Sequence, residues 1–185
     1  QIDTWILDKD LVPRVVMGVM KNTNTVQVHF RETANGAWIQ IAEFDATKGP
    51  TFVPLAYQDS ENNILVASNH GRDTMAIYKY DPVTKKFLEQ LAQHPQFDMG
   101  ATAMGTPVDG LDFNTKEQEI IGLKVNAHKP QKVWFSEVHA AVQAQVDKAL
   151  PDRVNDFSIN DGSNKVLITS YSDVSPARWY VFDLT

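Results

Sequence analysis

Residues 62–81 read NNILVASNHGRDTMAIYKYD, and residues 164–183 read NKVLITSYSDVSPARWYVFD. Set side by side at an offset of 102 residues, the two stretches align without a gap. Ile64-Leu65-Val66 meets Val166-Leu167-Ile168, and Ser68 meets Ser170. Ile77-Tyr78 meets Trp179-Tyr180, and Tyr80-Asp81 meets Phe182-Asp183. Each stretch is an apolar β-rich run, a polar turn, then a second run carrying aromatics, which is the pattern of a strand pair. A middle copy fits between them. Ile120-Ile121 and Trp134-Phe135 keep the 14-residue separation of Ile64-Leu65 and Tyr78-Lys79. The copies start near 64, 120 and 166, so the periods are 56 and 46.

Outward from these copies, the chain is a succession of short alternating segments. Arg14 to Lys21 is apolar, and Asn22-Thr23-Asn24 turns it into Thr25 to Arg31, where Val26, Val28 and Phe30 alternate with polar neighbours. That is the period of a half-buried strand. Asn35-Gly36 marks a turn before Trp38 to Asp45. Further strands are expected at Phe52 to Tyr57, Lys86 to Leu91, Gly110 to Phe113 and Arg153 to Ile159. The segment from Trp5 to Asp45 supplies a fourth set of strands that aligns less cleanly.

One helix interrupts the strands. Ser136 is placed to cap it, Glu137 suits its first turn and Lys148 its last, and Pro151 stops it. Val138, Ala141, Val142, Val146, Ala149 and Leu150 form one stripe at three-to-four spacing.

Repeats of about 40–50 residues with several strands each indicate propeller blades, small twisted sheets that bury their faces by stacking. The expected fold is therefore all-β, a partial β-propeller of three to four blades with one inserted helix at 136–150. The blades fall at 1–50, 51–95, 107–136 and 152–185 of a single domain spanning 1–185. A β-sandwich is the rival architecture, but it does not predict a gapless internal match.

Composition narrows the partners. The 185 residues carry a net charge of −6 with acidic and basic residues mixed, which argues against nucleic acid and anionic membrane. The longest basic cluster is Lys85-Lys86, expected on a solvated strand edge. There is no cysteine, so disulfides and thiolate metal sites are excluded. The opening Gln1-Ile2-Asp3 reads as a cut inside a longer chain, which leaves the compartment undecided between cytoplasm and periplasm.

Val133-Trp134-Phe135, the Ala/Gln-rich helix ending in Ala149-Leu150-Pro151-Asp152-Arg153-Val154, then Ser158, Asp161-Gly162, Val166 to Ser170, Ser172-Asp173, Pro176 and Trp179-Tyr180 to Asp183 are similar to the late propeller blades of bacterial prolyl-oligopeptidase-family serine peptidases, of the acylaminoacyl-peptidase and dipeptidyl-peptidase type. Phe44-Asp45 and Tyr80-Asp81-Pro82 resemble strand endings of the same propeller. The resemblance covers most of the chain and is most specific over 132–183. It implies a non-catalytic segment that gates peptide access and packs on an α/β-hydrolase domain carrying the serine triad. Its implied partners are that hydrolase domain and peptide substrates. A homodimer through exposed blade edges is expected as well, because an open arc leaves apolar faces at both ends.

Little in the chain points to chemistry of its own. No Gly-x-Ser-x-Gly elbow is present, so no catalytic nucleophile and no triad are expected. The loop Asn69-His70-Gly71-Arg72-Asp73 is the one cluster that reads as a substrate- or partner-facing site, through His70, Arg72 and Asp73. Its plain reading is a turn between two strands, because the repeat places Tyr171-Ser172-Asp173-Val174-Ser175 there. Gly100 to Thr106 lacks the lysine of a phosphate loop, and Asn160-Asp161-Gly162 lacks calcium-loop spacing. No cofactor is expected. His29, His70, His94, His128 and His139 are too far apart in sequence for a local zinc motif. The alternatives to the peptidase propeller are a stand-alone propeller-like protein-binding module and an independent enzyme using the His70, Arg72 and Asp73 loop.

Overall fold

The computed structural model describes residues 2–48, 51–101, 110–114, 120–159 and 164–184. These residues form 14 strands in four small antiparallel sheets, with one helix and no closed barrel. The first sheet is β1(Ile2–Leu7), β2(Pro13–Val19), β3(Thr25–Phe30) and β4(Ile39–Asp45) in sequence order. The second is β5(Phe52–Gln58), β6(Asn63–Ser68), β7(Ala76–Asp81) and β8(Lys86–Ala92), again in order. The third has β10(Ile120–Asn126) between β9(Leu111–Phe113) and β11(Pro130–Trp134). Helix α1(Glu137–Ala149) leads into the fourth, β12(Val154–Ile159), β13(Lys165–Ser172) and β14(Ser175–Asp183).

The internal repeat is a repeat of strand register. Val66 pairs with Tyr78, Gly122 with Trp134, and Ile168 with Tyr180. These are the same positions at the offsets read from the sequence. Three hairpins, β6–β7, β10–β11 and β13–β14, therefore share one cross-strand alignment, although their turns differ. The first sheet obeys a different parity. Val15 pairs with Phe30, an odd separation, whereas Val66 and Tyr78 are separated by an even number. Separation changes by two at each step of an antiparallel ladder, so no ungapped offset superimposes β2–β3 on the other hairpins.

The aromatic-Asp strand endings are turn devices. Asp81 Oδ1 accepts from the backbone N–H of Val83 and Thr84, and Oδ2 accepts from the Thr84 hydroxyl at 2.6 Å. Asp45 Oδ1 accepts from both the N–H and the hydroxyl of Thr47, at 2.8 and 2.6 Å. Each carboxylate thus organises its own reversal of the chain.

Alternation divides each hairpin into two faces. In β6–β7 one face carries Ile64, Val66, Tyr78 and Tyr80, and the other carries Leu65, Ala67, Ile77 and Lys79. The first face joins Phe52 and Phe87 in an aromatic cluster, with Phe52 and Tyr80 centroids 4.8 Å apart. The Tyr80 hydroxyl donates to the Ile41 carbonyl at 3.2 Å and so ties this face to the first sheet. The second face is closed by Gly100, whose φ of 73° lets the backbone pass against Ile77, Leu55 and Ala67. One apolar core runs through the first three sheets, and a smaller one joins Val142 and Val146 of α1 to Phe157, Val166 and Ile168. Between the third and fourth sheets, Trp134 stacks on Phe157 at 5.1 Å. Trp134 occupies the Tyr78 position, and Phe157 lies opposite Ile168, on the same kind of face. Like face meets like there. A cyclic array brings unlike faces together at every step, so this junction departs from strict propeller order.

The helix is seated more narrowly than its sequence stripe implies. Val142 and Val146 are buried and Leu150 is partly buried against them, whereas Val138, Ala141 and Ala149 are exposed. The apolar seam follows i, i+4, i+8, where Val142, Val146 and Leu150 meet Phe157, Val166 and Ile168, while the flanking alanines stay in solvent. Ser136 stands at the N-cap without bonding a backbone N–H. Its hydroxyl lies 2.8 Å from His139 Nδ1 instead, so the side-chain pair replaces the expected cap. No helix among the described residues is long and apolar enough to cross a membrane.

Candidate functional site

The loop containing His70, Arg72 and Asp73 links β6 to β7, and its side chains diverge. His70 lies exposed and stacks on Phe87 with centroids 5.3 Å apart and planes 16° apart. Arg72 turns the other way. Its Nη1 donates to Gln93 Oε1 at 2.7 Å, and its Nη2 donates to Thr74 Oγ1 at 2.9 Å and to the His94 carbonyl at 3.2 Å. The guanidinium therefore fastens the loop to the segment that follows β8. Asp73 is exposed and makes no hydrogen bond or ion pair among the described residues. The loop brings no two of these three groups together on one ligand position. Gly105 and Thr106, and the Asn160-Asp161-Gly162 turn, lie outside the described residues.

A more developed site lies where the third sheet, α1 and the fourth sheet converge. A cleft of about 350 Å³ is lined by Lys124, Lys132, Gln143, Asp147, Arg153 and Asn155, among others. It continues past Lys129, Arg153 and Tyr171 into a second cleft of about 310 Å³ that adds His128, Asp152, Ser172 and Asp173. The lining of the first cleft draws consecutive residues, Gln131-Lys132 and Arg153 to Asp156, from the ends of β11 and β12, together with Gln143 and Asp147 of α1.

The cleft is held by interlocked polar contacts. Lys132 Nζ sits 2.5 Å from Asp156 Oδ1 and 3.2 Å from Asp112 Oδ1, with the Trp134 ring centre 4.9 Å away. A largely buried ammonium is compensated by two carboxylates and an aromatic face. Gln143 accepts from Trp134 Nε1 at 3.2 Å and donates to Asp147 Oδ1 and to the Asn155 carbonyl, each at 3.0 Å. Asn155 Nδ2 donates to Asp147 Oδ1 and to the Leu150 carbonyl, each at 2.9 Å. Arg153 donates to Ser170 Oγ at 2.8 Å and to the Ser170 carbonyl at 3.1 Å, so its charge is anchored to β13.

Two buried acceptors, Asn155 Oδ1 and Asp112 Oδ2, have no hydrogen-bond partner among the described residues. Lys124 and Lys129 have no side-chain partner among the described residues and present the cleft's uncommitted positive charge. The trough combines the committed amides of Gln143 and Asn155 with Tyr171 and the ammonium groups of Lys124 and Lys129. His128 and Ser172 share the second cleft, but no hydrogen bond joins them, and the His128 ring meets Phe97 edge-on at 5.2 Å. No group of three His, Asp or Glu side chains among the described residues is placed to hold a metal ion.

Sequence reasoning passed over this cleft. Lys132, Arg153 and Asn155 sit inside strand runs, where a polar residue reads as the solvent face. The available signal was the polar residues of Lys129 to Lys132, which enters β11, and of Asp152 to Asp156, which follows α1. No family model, curated protein or solved structure matches this chain.

Proposed function

We propose that this chain is a non-catalytic, repeat-built β module: the propeller segment of a prolyl-oligopeptidase-family serine peptidase, which gates peptide access to a hydrolase domain. The observation that carries the reading is the single register shared by β6–β7, β10–β11 and β13–β14. Tandem sheets of one register are how blade arrays are built. The cleft's amide and ammonium lining is suited to peptides passing over it.

The test is the reading frame beyond Thr185 together with a serine-hydrolase probe. The reading requires an in-frame α/β domain with Gly-x-Ser-x-Gly and later Asp and His. It also requires that a fluorophosphonate probe leave residues 1–185 unlabelled. A stop codon directly after Thr185, or labelling of this chain, would sink it.

One observation favours a second reading, a stand-alone protein-binding module. The like-to-like contact of Trp134 with Phe157 is not the junction of a cyclic array. Under that reading the cleft binds a peptide segment of another protein with no hydrolase attached, and a frame ending at Thr185 would favour it.

A further inference from the structure

Lys124 stands directly across the β10–β11 ladder from Lys132, so the two side chains share one face of the third sheet. Like charges placed opposite each other in a ladder oppose folding. Lys132 is compensated: its side chain is 11% exposed and sits between Asp112 and Asp156. Lys124 is half-buried and has no carboxylate partner among the described residues. The fold therefore keeps a second cation beside one that has already used both neighbouring carboxylates.

The surrounding groups add donors and positive charge. Lys129, Arg153 and Tyr171 lie on the stretch common to both clefts. The Lys129 ammonium and the Tyr171 hydroxyl make no hydrogen bond among the described residues. Arg153 gives its N–H groups to the Ser170 and Ser175 hydroxyls and to the Ser170 and Pro176 carbonyls, none of which offsets its charge. The carboxylates of the lining are engaged elsewhere. Asp156 holds Lys132, and Asp147 accepts from the Gln143 and Asn155 amides. Four cations, Lys124, Lys129, Lys132 and Arg153, thus share a lining with two carboxylates, Asp147 and Asp156. Asp112, bound to Lys132, raises the carboxylates to three, so four minus three leaves one positive charge in surplus. That surplus is local, because the whole chain carries −6.

We infer that the part of this cleft around Lys124, Lys129 and Tyr171 is an oxyanion-binding site, and that its ligand presents a carboxylate or phosphate group. Two ammonium groups and a phenol offer charged and neutral donors, and an anion among them supplies the partner that Lys124 lacks. It also relieves the repulsion between Lys124 and Lys132. A cleft of about 350 Å³ admits such a group together with a short attached chain. The carboxylate would arrive on a peptide, an arm that rests on the proposed passage of peptides over this cleft. The phosphate would arrive free, and the oxyanion site itself does not depend on that passage.

Calorimetric titration of the 185-residue chain at low salt separates the sources. The probes are acetyl-tetraalanine with a free terminal carboxylate, the same peptide as its terminal amide, and inorganic phosphate. The acid peptide or phosphate should bind with Kd of roughly 0.1–3 mM, about tenfold or more tighter than the amide. Added salt should weaken that binding. Lys124→Met and, independently, Lys129→Gln should each weaken it about threefold or more, whereas Lys21→Gln, in the β2–β3 turn, should leave it unchanged. Without ligand, Lys124→Met should keep or raise the urea midpoint, because it retains the aliphatic stem and removes the repulsion with Lys132. Binding of the acid peptide alone assigns the ligand to a peptide carboxylate, and binding of phosphate alone assigns it to a free phosphate. Failure of all three probes at ~10 mM overturns the inference. So does binding that survives both lysine variants, or a lowered midpoint in Lys124→Met, which would show the fold's own carboxylate holding that charge. Equal binding of acid and amide peptides with none of phosphate overturns it as well. That last result would leave the propeller reading standing, since the reading frame decides it.

Discussion

At Gly122 the chain gives up a side chain so that the Trp134 indole can lie across β10. A Cβ there would stand 2.6 Å from Trp134 Cε3 and 3.0 Å from the Val133 carbonyl. The indole is fixed in place, because it packs on both His139 and Phe157, and its Nε1 donates to Gln143. Gly122→Ala should therefore cost about 1–3 kcal/mol by overpacking, read as a lower urea midpoint. Asp8 is the other residue whose surroundings set its chemistry. Burial alone would raise its pKa. Hydrogen bonds from the Val12 N–H, the Arg14 side chain and the Asp10 N–H, together with the Arg14 charge, outweigh that and hold it below the ordinary 3.8. Because the folded state lowers this pKa, its stabilising contribution is present above about pH 4 and disappears as pH falls through the folded-state value. Asp8→Asn should cost roughly 1–3 kcal/mol at pH 7. The gap between variant and parent in thermal denaturation should close below pH 4.

Helix α1 shows at the level of an element how little contact holds an insertion. Only Val142, Val146 and, partly, Leu150 face the small core beside it. Val146→Ala should cost about 1.5–3 kcal/mol, because the site is closed on all sides. Val138→Ala should change stability by less than about 0.5 kcal/mol, because that side chain already stands in solvent. Equal losses in the two variants, measured by chemical denaturation, would contradict the seam described here. The hairpins behave differently. They hold one register through turns of unequal length, because slipping by one residue would exchange their two faces and expose the apolar set.

Across the whole molecule, stability is divided between two cores. The first three sheets share one, and the fourth sheet shares the other with α1. They communicate through Trp134, Lys132 and Gln143. Hydrogen exchange should resolve this, with β5–β7 amides protected longest and β12–β14 opening at lower free energy. Val146→Ala should accelerate exchange in β12–β14 and leave β5–β7 unchanged. Uniform acceleration in every sheet would show a single cooperative unit instead.

The hairpins were legible in the sequence, because apolar alternation and a gapless offset of 102 residues encode register directly. The strand β1 was not. Ile6 is its only buried residue, so Ile2 to Leu7 has no alternation to read. The helix was legible as a helix, but its buried line was not, because α1 meets so little of the fourth sheet. His70, Arg72 and Asp73 look like a cluster in sequence, yet the turn sends their side chains in different directions. The cleft was invisible for the converse reason: Lys132, Gln143, Arg153 and Asn155 come from three elements and converge only after packing. By itself, then, the sequence determined the local pairing, since period-two patterning acts within each strand. Only the tertiary structure decided which face each sheet buries, which face of the last sheet stays open, and where polar groups meet. Those depend on how the sheets stack, and stacking is set by the area each face can bury rather than by neighbouring residues along the chain.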